Sequence, residues 1–179
     1  MERTVKSELL HEGRNFSFLR DEVELPSGRR TERDVVRHPG AVAIVPVLPD
    51  RRIVLVRQFR YAAGKTLLEI PAGTLEPGES VIDCARRELI EETGFRAEKM
   101  EPILSCYMAP GYSSEIIHFF VARGLVEVGV DPEWDEEISV EPFSVDEVHR
   151  MIDENSIEDA KTVVGVLASL RLNRGTASS

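Results

Sequence analysis

Apolar residues concentrate in a few short runs along this chain. Residues 41–48 (AVAIVPVL) are almost all apolar and are followed, after Pro49-Asp50, by residues 52–57. Together they read as a pair of buried antiparallel strands. Residues 116–122 (IIHFFVA) form a third, nearly continuous run and predict a strand in the centre of a sheet. Shorter strand patterns occupy residues 67–72, 103–108 and 138–143. Helical spacing is visible at Ile82, Ala85 and Leu89, a stripe preceded by Ser80 and Asp83 in a capping-box-like arrangement. Ser144 caps a second helix that reaches about residue 153, and residues 157–172 read as a third. The first 38 residues alternate only in part, with residues 16–25 and 30–37 as the two arms of a hairpin around Pro26-Ser27-Gly28.

Strands on both sides of one central helix, with helices at the end, predict an α/β fold in which a mixed sheet is sandwiched between helices. The 179 residues suit one compact domain with a sizeable core. That domain is expected over residues 39–172. Residues 1–38 form an N-terminal β extension too polar to make a core alone, so it leans on the main domain or on a second copy of the chain. Residues 173–179 are expected to be a disordered tail.

The formal net charge of −10 argues against a general nucleic-acid binder, which needs clustered Lys and Arg. No stretch approaches the roughly 20 apolar residues that span a bilayer, and the N-terminus has no apolar signal region. Cys84 and Cys106 do not form a C-x-x-C pair, and a reducing cytoplasm is the simplest setting. His11, His38, His118 and His149 lack zinc-ligand spacing.

The candidate chemistry lies in residues 73–95 (GTLEPGESVIDCARRELIEETGF). Glu88, Glu91 and Glu92 fall at i, i+3 and i+4 of the predicted helix, so their carboxylates crowd one side. Like charges so spaced destabilise a helix by about 0.2–0.5 kcal/mol per pair. Gly94, just past the helix end, also puts Glu91 and Glu92 at the negative pole of the helix dipole. Both effects reverse if a divalent cation binds, and all-oxygen ligands suit Mg²⁺ or Mn²⁺. From the three residues alone, a solvated acidic face remains the alternative. Arg87 is placed to hold Glu91 at i,i+4. Upstream, Arg57, Phe59, Arg60 and Tyr61 interleave guanidinium groups with aromatic rings, a set suited to phosphate and to stacking.

Gly73, Glu79 and Arg87-Glu88-Leu89-Ile90-Glu91-Glu92-Thr93-Gly94-Phe95 match the Nudix box, G-x5-E-x7-R-E-U-x-E-E-x-G-U, at every specified position. The chain is thereby identified as resembling the Nudix hydrolases, enzymes that cleave nucleoside diphosphates linked to another group. The resemblance implies an α/β/α sandwich, a divalent cation held by Glu88 and Glu92, with Glu91 holding the metal or its water, and the Ala72 carbonyl as a further ligand.

Pro110 in Ala109-Pro110-Gly111, the run Gln58-Phe59-Arg60-Tyr61, residues 68–73 and the hairpin-like extension are similar to the ADP-ribose pyrophosphatase subfamily. That similarity implies hydrolysis of ADP-ribose to AMP and ribose 5-phosphate, and a homodimer formed across the extension. Arg57, Phe59, Arg60, Glu69, Pro110 and Gly111 are then the candidate substrate-binding residues. Arg87 and Glu91 are candidate catalytic residues within the box. A catalytic base is expected outside it, in the acidic segment before Ile138, with Glu136 favoured over Glu137 and Glu115 as the competitor. The alternatives are another nucleoside diphosphate sugar such as GDP-mannose, a nucleoside triphosphate, or a nucleotide-sensing module without turnover. All four box carboxylates, Glu79, Glu88, Glu91 and Glu92, are present, which disfavours the last.

Overall fold

The computed structural model describes residues 1–129 and 138–174. At its centre is a four-stranded mixed sheet ordered β7 (Ala72–Thr74), β4 (Ala41–Pro46), β9 (Ile116–Glu127) and β8 (Phe95–Tyr107). The β4–β9 pair is parallel and its neighbours are antiparallel. All six residues of β4 are buried, because successive side chains serve two cores. Val42 and Ile44 pack with Cys84, Ala85 and Leu89 of helix α1 (Val81–Thr93). Ala41, Ala43 and Val45 face the opposite way, into a cluster that includes Val148 of α2 (Val145–Asp153) and Val166 of α3 (Ala160–Arg174). Phe120 and Phe119 of β9 divide between the same two clusters. Helices thus cover both faces, giving the α/β/α sandwich read from the sequence.

A second sheet, ordered β10 (Ile138–Phe143), β5 (Ile53–Arg60) and β6 (Lys65–Glu69), joins the larger cluster. This corrects one expectation, since residues 41–48 and 52–57 do not form a hairpin ladder. Their backbones pair only at the bridge Val47–Ile53 and at the turn, where Leu48 N–H donates to Arg52 O at 2.9 Å. Both edges of β4 are already occupied by β7 and β9, so β5 pairs with β6 and β10 instead.

The N-terminal segment forms a third sheet, β1 (Arg3–Glu12), β2 (Ser17–Glu24) and β3 (Arg30–Arg37). Strand β1 is exposed along its whole length, which is why no apolar pattern marked it. The end of β3 is tied to the loop after β8: Val36 N–H donates to Tyr112 O and Ser114 N–H donates to Val36 O, at 2.8 and 2.9 Å. Strand β8 starts immediately after α1, eight residues before the pattern suggested, because its mostly exposed edge carries polar residues. Helix α3 starts at Ala160, where the Asp159 carboxylate accepts Thr162 N–H at 2.9 Å, and it runs to Arg174. Among the described residues, no helix is long and apolar enough to cross a membrane.

Candidate active site

Helix α1 begins at Ser80, whose hydroxyl oxygen accepts Asp83 N–H at 3.2 Å. It ends at Gly94, which takes a left-handed φ of 71° that a glycine adopts without strain. Its apolar stripe is fixed against β4, and this sets the remaining faces. Glu88 and Glu92 lie at the margin of the stripe and are only 9% and 5% exposed. Buried carboxylates need partners. Glu92 Oε2 accepts Ala72 N–H at 3.0 Å, so the helix is joined to the short strand β7 next to it.

Arg87 collects the other box carboxylates. Its Nε and Nη2 donate to the two oxygens of Glu79 at 2.9 and 3.0 Å, and its Nη1 donates to Glu88 Oε1 at 2.8 Å and Glu91 Oε2 at 2.9 Å. It also reaches Thr74 O at 3.3 Å. The fork from Arg87 lowers the Glu79 carboxyl to about 2. The Glu79 bond in turn raises the Arg87 guanidinium still further above its already high value. Burial pushes the Cys84 thiol up to about 12, which makes it an inert core residue.

These groups form one wall of an open cleft of about 1050 Å³. Ala72, Gly73 and Thr74 line its floor beside Glu88, Glu91 and Glu92. Arg60 and His38 line it as well. The turn between β1 and β2 also lines it with Gly13, Arg14, Asn15 and Phe16, the last 45% exposed. Sequence reading missed this contribution. It let the N-terminal segment lean on the main domain or on a second copy of the chain, but a polar turn carries no periodicity that would place it at a cleft about 60 residues away in sequence.

The structure therefore gathers Arg60, Ala72, Arg87, Glu88, Glu91 and Glu92 in one cleft. Other candidates lie elsewhere. Arg57 is on the exposed side of β5 in a bidentate pair with Glu141, at 2.7 and 3.0 Å. Phe59 is 57% exposed and, like Arg57, does not line the cleft. Glu69 is 1% exposed and sits behind Arg60, which it holds through two bonds of 2.8 and 2.6 Å. Pro110, Gly111 and Glu115 belong to the loop docked on β3, outside the cleft lining. Glu136 and Glu137 lie outside the described residues.

Glu88, Glu91 and Glu92 offer hard oxygen donors on one side of a helix at a cleft wall, the donor chemistry that suits Mg²⁺ or Mn²⁺. Among the described residues, no three acidic, imidazole or thiol side chains converge on one point as they stand. Glu88 and Glu91 are turned to Arg87, and Glu92 to Ala72 N–H. The residues fit a divalent cation in kind.

The family model described as NUDIX domain matches residues 37–163. The chain is 43% identical over 169 residues to a methanol dehydrogenase activator of Bacillus methanolicus, a match covering 92% of this chain and 90% of that one. It is 38% identical over 167 residues to an ADP-ribose pyrophosphatase of Bacillus subtilis, with 92% and 90% covered. Among solved structures, an ADP compounds hydrolase has the same fold at a TM-score of 0.87, with 24% identity and 99% of this chain and 97% of that one covered.

Proposed function

The chain belongs to the Nudix family of pyrophosphohydrolases, and on that premise we propose that it hydrolyses ADP-ribose to AMP and ribose 5-phosphate with Mg²⁺ or Mn²⁺. The observation that carries this reading is the pairing, within one cleft, of the nearly buried carboxylates Glu88 and Glu92 with the partly exposed guanidinium of Arg60. A cation among the carboxylates and an arginine in the same cleft suit the two phosphates of a diphosphate link.

In the reaction, the oxygen of a water molecule bonds to one phosphorus while the bond from that phosphorus to the bridging oxygen breaks. The bridging oxygen leaves with the other phosphate, and the proton of the attacking water passes to a base. The link is inert in water because its oxygens repel nucleophiles, and a bound divalent cation supplies the charge neutralisation that removes this barrier. Glu88, Glu91 and Glu92 would hold that cation together with the Ala72 carbonyl. Arg87 keeps Glu88 and Glu91 oriented, and Arg60 anchors the substrate phosphate.

The base is assigned to the acidic segment before β10, to Glu136 and then Glu137. What supports this is the register of β10, whose first residue, Ile138, pairs with Gln58, two residues from Arg60. Glu115, by contrast, has its own N–H tied to Ser113 Oγ at 3.1 Å and is not among the residues that line the cleft.

The N-terminal sheet is proposed as the surface of a homodimer. Val5, Leu9 and Leu10 are exposed on β1, which leaves one edge without a strand partner among the described residues. Light scattering should give twice the 20.1 kDa of one chain. A fully active monomer at micromolar concentration would remove this part. A cytoplasmic setting suits the free thiols of Cys84 and Cys106.

The deciding experiment is a substrate panel with Mg²⁺ and product identification. ADP-ribose, a GDP-sugar, a nucleoside triphosphate and a nicotinamide dinucleotide belong in it, the last because a dehydrogenase cofactor contains the same diphosphate bond. ADP-ribose should give the highest kcat/KM, with AMP and ribose 5-phosphate formed in equal amounts. Faster release of mannose 1-phosphate or inorganic pyrophosphate would overturn the substrate, and tight binding of ADP-ribose without turnover would overturn the enzyme.

A further inference from the structure

A ring of polar groups joins the start of α3 to the end of β6, where the chain leads into Ala72. Ile70 N–H donates to Thr162 Oγ1 at 2.8 Å, and the same hydroxyl donates to Asp159 Oδ2 at 2.5 Å. Asp159 Oδ1 pairs with Lys161 Nζ at 3.1 Å, and Lys161 Nζ also donates to Glu69 Oε2. Glu69 and Ile70 are consecutive, so the ring closes. One arm leaves it toward the cleft, the two bonds from Arg60 Nε and Nη2 to the Glu69 carboxylate. That fork leaves the Nη1 edge of the guanidinium outside it.

Burial separates the ring from its arm. The side chains of Glu69, Lys161 and Asp159 are 1%, 12% and 15% exposed, whereas that of Arg60 is 39% exposed and lines the cleft. Well-packed apolar residues would fasten α3 to β6 at least as firmly, since buried ion pairs lose in desolvation much of what they gain. Stability alone therefore does not account for four charges here. Burial by itself would raise the Glu69 carboxyl, and Arg60 together with Lys161 holds it below its usual range instead. Arg60 also feels the negative charges of Glu92 and Asp159. Two cations and two carboxylates balance, and a change in either member of the Lys161–Asp159 pair is felt at Arg60.

We propose that Lys161 and Asp159 are positioning residues for the diphosphate. They hold Glu69 as a shared anchor, fix the Arg60 guanidinium on the cleft wall, and keep Glu69 from neutralising it completely. The inference rests on the reading that the cleft takes a diphosphate, and it concerns residues far along the chain from Arg60 that are not among the cleft lining. It predicts opposite effects from the two partners. In Lys161→Met, Glu69 serves Arg60 alone and Asp159 is left unbalanced, so the wall becomes more negative by one charge. In Asp159→Asn, the wall becomes more positive by one, while the amide oxygen can still accept from Thr162.

The test uses the full chain with Mg²⁺ and ADP as the calorimetric probe, because ADP carries the diphosphate without the bond to be cleaved. Affinity should fall about fivefold in Lys161→Met and rise about twofold in Asp159→Asn, with both effects shrinking at high salt. Lys161→Arg should restore wild-type affinity. With ADP-ribose, the same order should appear in KM while kcat stays within about twofold. Should Lys161→Met fail to fold, the gain in Asp159→Asn carries the test. Affinities that stay equal across the set, or move in the same direction for both variants, would reduce the ring to a brace for α3 and overturn the proposal. Wild-type protein that binds ADP but does not cleave ADP-ribose would sink the substrate reading and leave this test intact.

Discussion

The carboxylate of Glu88 occupies the space in which a side chain on Gly73 would begin. A Cβ on Gly73 would lie 1.8 Å from Glu88 Cδ and Oε1 and 2.2 Å from Oε2, with no other atom as near. The glycine that opens the box is thus required by the glutamate that follows on the helix. Gly73→Ala should expel that carboxylate and misplace it by about 1 Å, lowering kcat roughly 100-fold. The α1 core of Cys84, Ala85 and Leu89 is untouched, so circular dichroism should still report a folded protein. Near-normal turnover in this variant would place the chemistry away from Glu88.

Glu92→Gln and Glu88→Gln should both lower kcat by at least about 100-fold and weaken Mn²⁺ binding in calorimetry, an effect above the 10–100-fold expected of an outer-shell partner. Their metal-free stabilities should differ. In Glu92→Gln the new amide oxygen can still accept Ala72 N–H, and a like-charge contact on the helix is relieved, so this variant should stay within about 0.5 kcal/mol of wild type. Glu88→Gln weakens a charged bond to Arg87 and should be the less stable of the two. Unchanged Mn²⁺ affinity in both variants would remove the metal assignment.

Glu79 gives a pH signature. Its folded value of about 2 lies below the roughly 4.3 of an unfolded glutamate. A depressed carboxyl contributes stability that is fully present above the unfolded value and is lost as pH falls through the folded one. In urea unfolding, wild type should therefore exceed Glu79→Gln in stability at about pH 6, and the gap should narrow progressively from about pH 5 toward about pH 2. A gap independent of pH would mean that the Arg87–Glu79 fork does not persist in solution.

Glu136→Gln is expected to lower kcat about 100-fold or more with ADP-ribose binding preserved, and to remove the acidic limb of the pH–rate profile. Glu137→Gln should have the smaller effect and Glu115→Gln the smallest. Wild-type kcat in both Glu136→Gln and Glu137→Gln would return the base to Glu115 or Glu91.

The sequence by itself determined the box helix and which of its side chains share a face. Spacings of three and four residues fix which side chains share a helix face whatever the surroundings, so Glu88, Glu91, Glu92 and the reach of Arg87 to Glu91 were legible before any fold. The unbroken apolar runs at β4 and β9 likewise announced buried strands. Only the tertiary structure decided which strands pair, because an apolar run records burial and not the identity of its neighbours. Residues 41–48 and 52–57 separated into two sheets for that reason. The same holds for long-range polar partners. Nothing local links Gly73 to the volume of the Glu88 carboxylate, Glu69 to Lys161, or the turn at Arg14 to the cleft wall. Those relationships arise when packing of the two cores brings distant segments together, and contacts so made leave no periodicity in the chain.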